Sequence, residues 1–159
     1  MGLGDFVLAR ALHVLGVVLW IGGVAFVTLV LLPALRRHGA AGERVALFDR
    51  IEGGFATQAR VTTLLTGLSG LWLVYRLAAW PRFADGHYWW MHAMVAVWAL
   101  FTLMLFVFEP WFLHRWFHAR ASRDPEGTFR LIEYLHRALL TVSLVTVAGA
   151  AAGSHGWMF

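Results

Sequence analysis

A chain of 159 residues that is 60% hydrophobic, 14% charged and carries nine tryptophans has the composition of an integral membrane protein rather than a water-soluble domain. It contains no cysteine, which excludes disulfides, thiolate metal sites, iron–sulfur clusters and haem attached through thioethers; its 13 basic residues are all arginine, which excludes Schiff-base chemistry on lysine. The net charge of +4 is not the footprint of a nucleic-acid partner, because the arginine excess gathers in two segments between apolar stretches.

The pattern predicts an all-α fold, an integral membrane antiparallel four-helix bundle forming one domain over residues 1–159. Spans are expected at about 7–33, 56–79, 89–113 and 136–153, each long enough to cross a hydrocarbon core of about 30 Å. The first is too long for a removable signal peptide, and no small-residue cleavage site precedes the basic segment after it. In span one His13, Gly16, Trp20 and Gly23 share a face. Glycines on the same face as a histidine imply close approach by something bulky, a neighbouring helix or a flat macrocycle. Pro33 closes this span, and Arg36, Arg37, Arg44 and Arg50 follow.

Span two carries Arg60, Gly67 and Gly70 but no histidine, and Trp80-Pro81 breaks the chain after it. On span three His92, Ala96, Ala99, Leu103 and Phe106 share a face, and Glu109-Pro110 marks its far end. Arg115, Arg120, Arg123 and Arg130 come next, and Asp124-Pro125 starts the turn into span four. There His136 heads a face with Leu140, Ser143, Val147 and Ala150, and Gly149 and Gly153 form a G-x-x-x-G. Eight arginines between spans one and two and spans three and four, against Arg10, Arg76 and Arg82 on the other side, place both basic segments in the cytoplasm and both termini outside. Anionic lipid headgroups are the ordinary partners of such arginines. Arg60 and Glu109 fall at similar depth and are expected to pair.

Ionisable residues within spans are default functional candidates. His13 and His92 each lie early in a span that starts outside, so both imidazoles are expected near the outer surface. That suits bis-imidazole ligation of haem b, with Gly16, Trp20, Gly23, Ala96 and Ala99 lining the cofactor. His136 with His114 or His118 is the candidate for a second haem site at the opposite end, with a surface imidazole as the other reading. Copper is the alternative metal, through His87, Met91, His92 and Met94.

The stretches "ALHVLGVVLWIGGVAFVTLVLLP", "TTLLTGLSGLWLVY" and "WWMHAMVAVWALF" resemble the superfamily that joins CopD-type copper-resistance membrane proteins with HemJ-type protoporphyrinogen oxidases. The resemblance covers roughly the first 115 residues. It implies a small four-helix bacterial inner-membrane protein whose span-one histidine, here His13, binds haem b. The family's enzymes carry a lysine two residues after the position of His92, where this chain has Met94. The expectation is therefore a divergent haem-binding oxidoreductase that exchanges electrons between the quinone pool and a redox partner or small oxidant. Protoporphyrinogen oxidation and copper transport stand as the alternatives, and self-association as a homo-oligomer is open.

Overall fold

The computed structural model describes residues 3–37 and 39–157, with the side chains of residues 112–114 excepted. The described residues are helical throughout, with no strand. Helix α1 (Leu3–Phe26) runs through a π-helical turn, Val27–Leu31, into α2 (Leu32–Arg36). Helix α3 (Ala41–Arg76) returns, and two short 3₁₀ turns, Trp80–Ala84 and Gly86–Tyr88, lead to α4 (Trp89–Leu103). A longer π segment, Met104–Leu113, joins α4 to α5 (His114–Ala121). The chain ends in α6 (Pro125–Ser154), capped by the Asp124 carboxylate, which accepts a 2.8 Å hydrogen bond from the Gly127 amide.

Three helical stretches are long and apolar enough to cross a membrane: Leu3–Arg36, Gly86–Trp111 and Pro125–Ser154. The surface agrees with a multi-pass membrane protein. Val14, Leu15, Val18, Leu68, Leu71, Val142, Leu144 and Val145 are exposed, while Thr28, Thr62, Thr63, Thr66, Ser69, Ser143 and Thr146 are buried. That inverts the pattern of a soluble domain, which rarely shows so much contiguous apolar surface.

Helix α3 is the exception to the four expected spans: at 36 residues it is the longest helix described, yet it is not among the three apolar stretches. The physical reason is the polar residues it carries, Gln58, Arg60 and Arg76 together with a row of hydroxyls. Thr62 donates to the Gln58 carbonyl at 3.0 Å, Thr66 to the Thr62 carbonyl at 2.8 Å, and Ser69 to the Leu65 carbonyl. Each hydroxyl is satisfied by its own helix, so the row lowers hydropathy without leaving those groups unpaired. The helices also outrun the expected spans. Arg44 and Arg50 lie on α3, Arg115 and Arg120 on α5, and Arg130 on α6, so most of the expected loop arginines stand on helical extensions.

Helix α1 packs along α3, and α4 along α6; α6 also touches α1 and α3, and α3 touches α4. Helices α1 and α4 lie across the diagonal and meet in the core, where the Trp20 and Phe101 rings stand edge to face at 4.9 Å. Glycine notches set the spacing. A Cβ at Gly16 would lie 2.5 Å from the Thr66 hydroxyl, and one at Gly67 would lie 2.5 Å from Nε1 of Trp98. Gly149 and Gly153 receive the Trp89 and Trp90 rings, which is how the G-x-x-x-G is used.

Both π segments trace to proline. The Leu32 amide bonds to the Val27 carbonyl, a five-residue step that widens the helix just before Pro33. In the second segment a five-residue step would bring the residue-110 amide to the Leu105 carbonyl, but Pro110 has no N–H to give. Arg60 supplies the missing donor from α3. Its Nε donates to the Leu105 carbonyl at 3.1 Å, and its terminal nitrogen pairs with Glu109. The expected Arg60–Glu109 pair is thus present, and it also closes a carbonyl that proline left open. Arg60→Met should therefore destabilise the protein by roughly 2–4 kcal/mol in thermal unfolding in detergent. In a Pro110→Ala background, where a backbone amide is available to Leu105, the cost should fall by about 1 kcal/mol. Equal costs in both backgrounds would show that the carbonyl is not what Arg60 serves.

Candidate functional site

His13 sits one helical turn before Gly16 on the α1 face that meets α3. Its Nδ1 lies 3.0 Å from the Thr66 carbonyl and 3.4 Å from the Ser69 hydroxyl, with Gly70 leaving room for the ring edge. A carbonyl can only accept, so Nδ1 carries the proton and donates. The tautomer is thereby fixed with the lone pair on Nε2. A donor bond from Nδ1 to a backbone carbonyl fixes the ring's orientation and tautomer, as it does in metal-ligating histidines. Below it Trp20 is 3% exposed, and its Nε1 is buried without a hydrogen-bond partner. The Thr63 and Ser143 hydroxyl oxygens are likewise buried and unpartnered. Antiparallel pairing of α3 and α6 with α1 brings Thr63 and Ser143 to about the level of Trp20.

His92 is placed differently. It is exposed, its Nε2 lies 3.0 Å from the Phe83 carbonyl, and its ring stands edge to face with Phe83 at 5.5 Å. The rest of its stripe follows it outward: Ala96 is exposed, Ala99 half-buried and Leu103 exposed. The face of α4 turned into the bundle carries Trp90, Met91, Val97 and Phe101 instead. The structure therefore turns the two imidazoles to different neighbours, His13 to α3 and His92 to the connector before α4. Gly16 and Gly23, expected to line a cofactor, face Thr66 and Phe55 of α3.

The copper residues are only partly gathered, with Met94 packed against the cluster that holds Met91. Met91 is buried with Ala79 and Trp90, whereas His87 is exposed and holds Asp85 at 2.8 Å. Among the described residues no group of three or more His, Asp or Glu side chains could hold a metal ion.

His136 is half-buried; its Nδ1 donates to the Ile132 carbonyl at 2.9 Å and its ring stands edge to face with Phe48 at 5.5 Å. The side chain of His114, its expected partner, lies outside the described residues. Beside it Glu133, 4% exposed, is held by Arg36 at 3.0 Å and by Arg137 at 3.9 Å. This ion cluster ties α2 to α6.

Two elements of the site were not anticipated from the sequence. One is Trp98, whose indole N–H donates to the Thr63 carbonyl at 3.0 Å while its ring covers Gly67. The indole alternating with small residues was visible, but its direction was not. The other is Glu52, on the extension of α3 before expected span two. Its carboxyl is pushed up to about 7, first by burial, then by the negative charges of Glu109 and Asp49. Arg60 holds Glu109, so that neighbouring charge is itself partly compensated.

The sign of the pH dependence follows. With its folded pKa raised, Glu52 costs nothing while it is protonated in both states, below the unfolded value near 4.5. Between that pH and about 7 the unfolded chain ionises first and stability falls; above about 7 the loss is complete. Glu52→Gln should match wild type at pH 4 and exceed it by roughly 1–3 kcal/mol at pH 8, measured by chemical unfolding in detergent. A difference that does not change with pH would assign the effect to packing.

Comparison of the chain with protein-family models, with curated proteins and with solved structures gives no match.

Proposed function

We propose that this chain is a multi-pass membrane protein that binds haem b through His13 and exchanges electrons between the quinone pool and a redox partner or small oxidant. The observation that carries the reading is the imidazole of His13, held by the Thr66 carbonyl with its Nε2 lone pair uncommitted. Such a nitrogen is the donor that haem iron takes axially. The buried, unpartnered Nε1 of Trp20 and hydroxyls of Thr63 and Ser143 also suit a polar-edged group better than a purely apolar core. The resemblance of span one to haem-binding membrane proteins points the same way.

The bound haem would supply one-electron exchange. The chain's residues would do the rest. Thr66 and Ser69 orient His13, and Trp20 and Phe101 keep water from the bundle core. His92 is the sequence's second axial candidate, but its Nε2 is bonded to the Phe83 carbonyl, so the reading rests on His13. Porphyrinogen oxidation remains the alternative enzyme reading. Met94 stands where those enzymes carry a cation within the span, and the arginines at this end, Arg10, Arg76 and Arg82, are exposed on the surface.

Purified from haem-replete cells, the protein should show a Soret band that sharpens on dithionite reduction. His13→Ala should lose the haem. His92→Ala should retain it, and a change to high-spin bands in that variant would identify His92 as the second ligand. A colourless wild-type protein would remove the haem reading. Complementation of a strain lacking protoporphyrinogen oxidase would promote the enzyme reading.

The arginine asymmetry puts the His13 end of the bundle outside. Fusions at the C-terminus should then be active as alkaline phosphatase and dark as fluorescent protein. The opposite pattern would move His13 to the cytoplasmic side and change the proposed electron partner.

A further inference from the structure

Beyond the core, an open cavity of about 250 Å³ lies against α5 and the turn into α6, lined by Trp116, Ala119, Arg120, Arg123 and Asp124. The Arg120 guanidinium stands over the Trp116 ring at 5.7 Å, yet its Nε is buried with no hydrogen-bond partner. A guanidinium N–H taken out of water without an acceptor is costly, so the arrangement asks for an acceptor from outside the chain. The one acid at the cavity, Asp124, is committed to capping α6 through the Gly127 amide. The two arginines therefore leave the lining net positive.

Depth narrows the source of that acceptor. Trp116 stands on α5, whose histidines and arginines follow directly on the apolar segment Met104–Leu113. That change from apolar to charged sequence puts α5 at the boundary of the hydrocarbon core. The headgroup layer occupies roughly 5–8 Å on each side of the core. An indole at that level with arginines beside it is the usual furniture of a lipid interface, but here it is built into a cavity around an unsatisfied guanidinium.

We propose that the cavity between Trp116, Arg120 and Arg123 is a binding site for the phosphate headgroup of an anionic phospholipid. The guanidinium of Arg120, braced by the Trp116 ring, donates to a phosphate oxygen, and Arg123 adds the second positive charge. The site rests on the membrane reading of the helices and is independent of the haem reading.

The test is native mass spectrometry of the full chain, released from micelles containing equal phosphatidylglycerol and phosphatidylcholine. Wild type should retain phosphatidylglycerol in preference. The Arg120→Gln/Arg123→Gln variant should bind it about thirty-fold more weakly, the loss expected for two interfacial cations. Arg37→Gln, at an exposed arginine in the connector between α2 and α3, should bind as wild type does. Arg120→Lys keeps the charge but lacks the inward Nε donor, and it should retain less phosphatidylglycerol than wild type. Circular dichroism checks that each variant is folded; if the double variant is not, Arg123→Gln alone is read. Equal retention by wild type and the glutamine variants, or no preference between the two lipids in wild type, overturns the proposal. So does displacement of the lipid by millimolar inorganic phosphate, which would make the cavity a site for a soluble anion.

Discussion

Helix α3 turns its hydroxyls inward, and those of Thr62, Thr66 and Ser69, though not that of Thr63, are bonded back to the helix that carries them. In lipid a polar group must find its partner within the protein. Two other carbonyls of α3, those of Thr66 and Thr63, accept in addition from the helices beside it. Gly16 lets α1 approach close enough for His13 to reach the Thr66 carbonyl, and Gly67 lets Trp98 of α4 reach the Thr63 carbonyl. Two other helices are thus registered against α3 by side-chain-to-backbone hydrogen bonds made possible by glycine. A methyl group at Gly16 or Gly67 would push the partner away and break that tie between helices.

Proline makes the same demand from the other direction. Pro33 and Pro110 each withdraw an amide from a helix, and both helices widen to π geometry beside them. Near Pro33 the Thr28 hydroxyl donates to the Val24 carbonyl at 2.7 Å and reaches the His136 carbonyl at 3.4 Å, linking α1 to α6. At Pro110 Arg60 bridges α3 to Leu105 and Glu109. In both places the helix irregularity coincides with an interhelical tie. The arginine within expected span two is explained by this structural task before any catalytic one.

The sequence displayed this much unevenly. Helical spacing correctly put His13, Gly16, Trp20 and Gly23 on one face, and the glycines announced a close approach there. The same spacing grouped His92, Ala96, Ala99 and Leu103, but could not say that this face would turn outward. In a span that is apolar on every side, periodicity defines faces without giving them a direction. Bulk decided it instead, because Trp90, Met91, Val97 and Phe101 fill the interior better than alanines do. Average hydropathy underrates α3, since its polar residues subtract from a mean that takes no account of back-bonding or of the Arg60–Glu109 pair. The Leu105 carbonyl was beyond reach for a different reason: its partner lies 45 residues away in the chain, on another helix.

The two titratable centres of the bundle are separated by enough helix to act almost independently. Thr66, which holds His13, is 14 residues along α3 from Glu52, about 21 Å at helical rise. At an effective dielectric constant near 20, one charge acting over that distance is worth about 0.8 kcal/mol. Arg60 and Glu109 lie between them as an opposed pair, and Glu52 stands on the extension beyond the expected span, where water and salt weaken its field further. Ionising Glu52 therefore moves the environment of His13 by less than one pKa unit's worth of energy, about 1.4 kcal/mol. Stability near neutral pH is governed at the arginine-rich end, and the chemistry of the imidazole is set locally, by the Thr66 carbonyl and the packing around it.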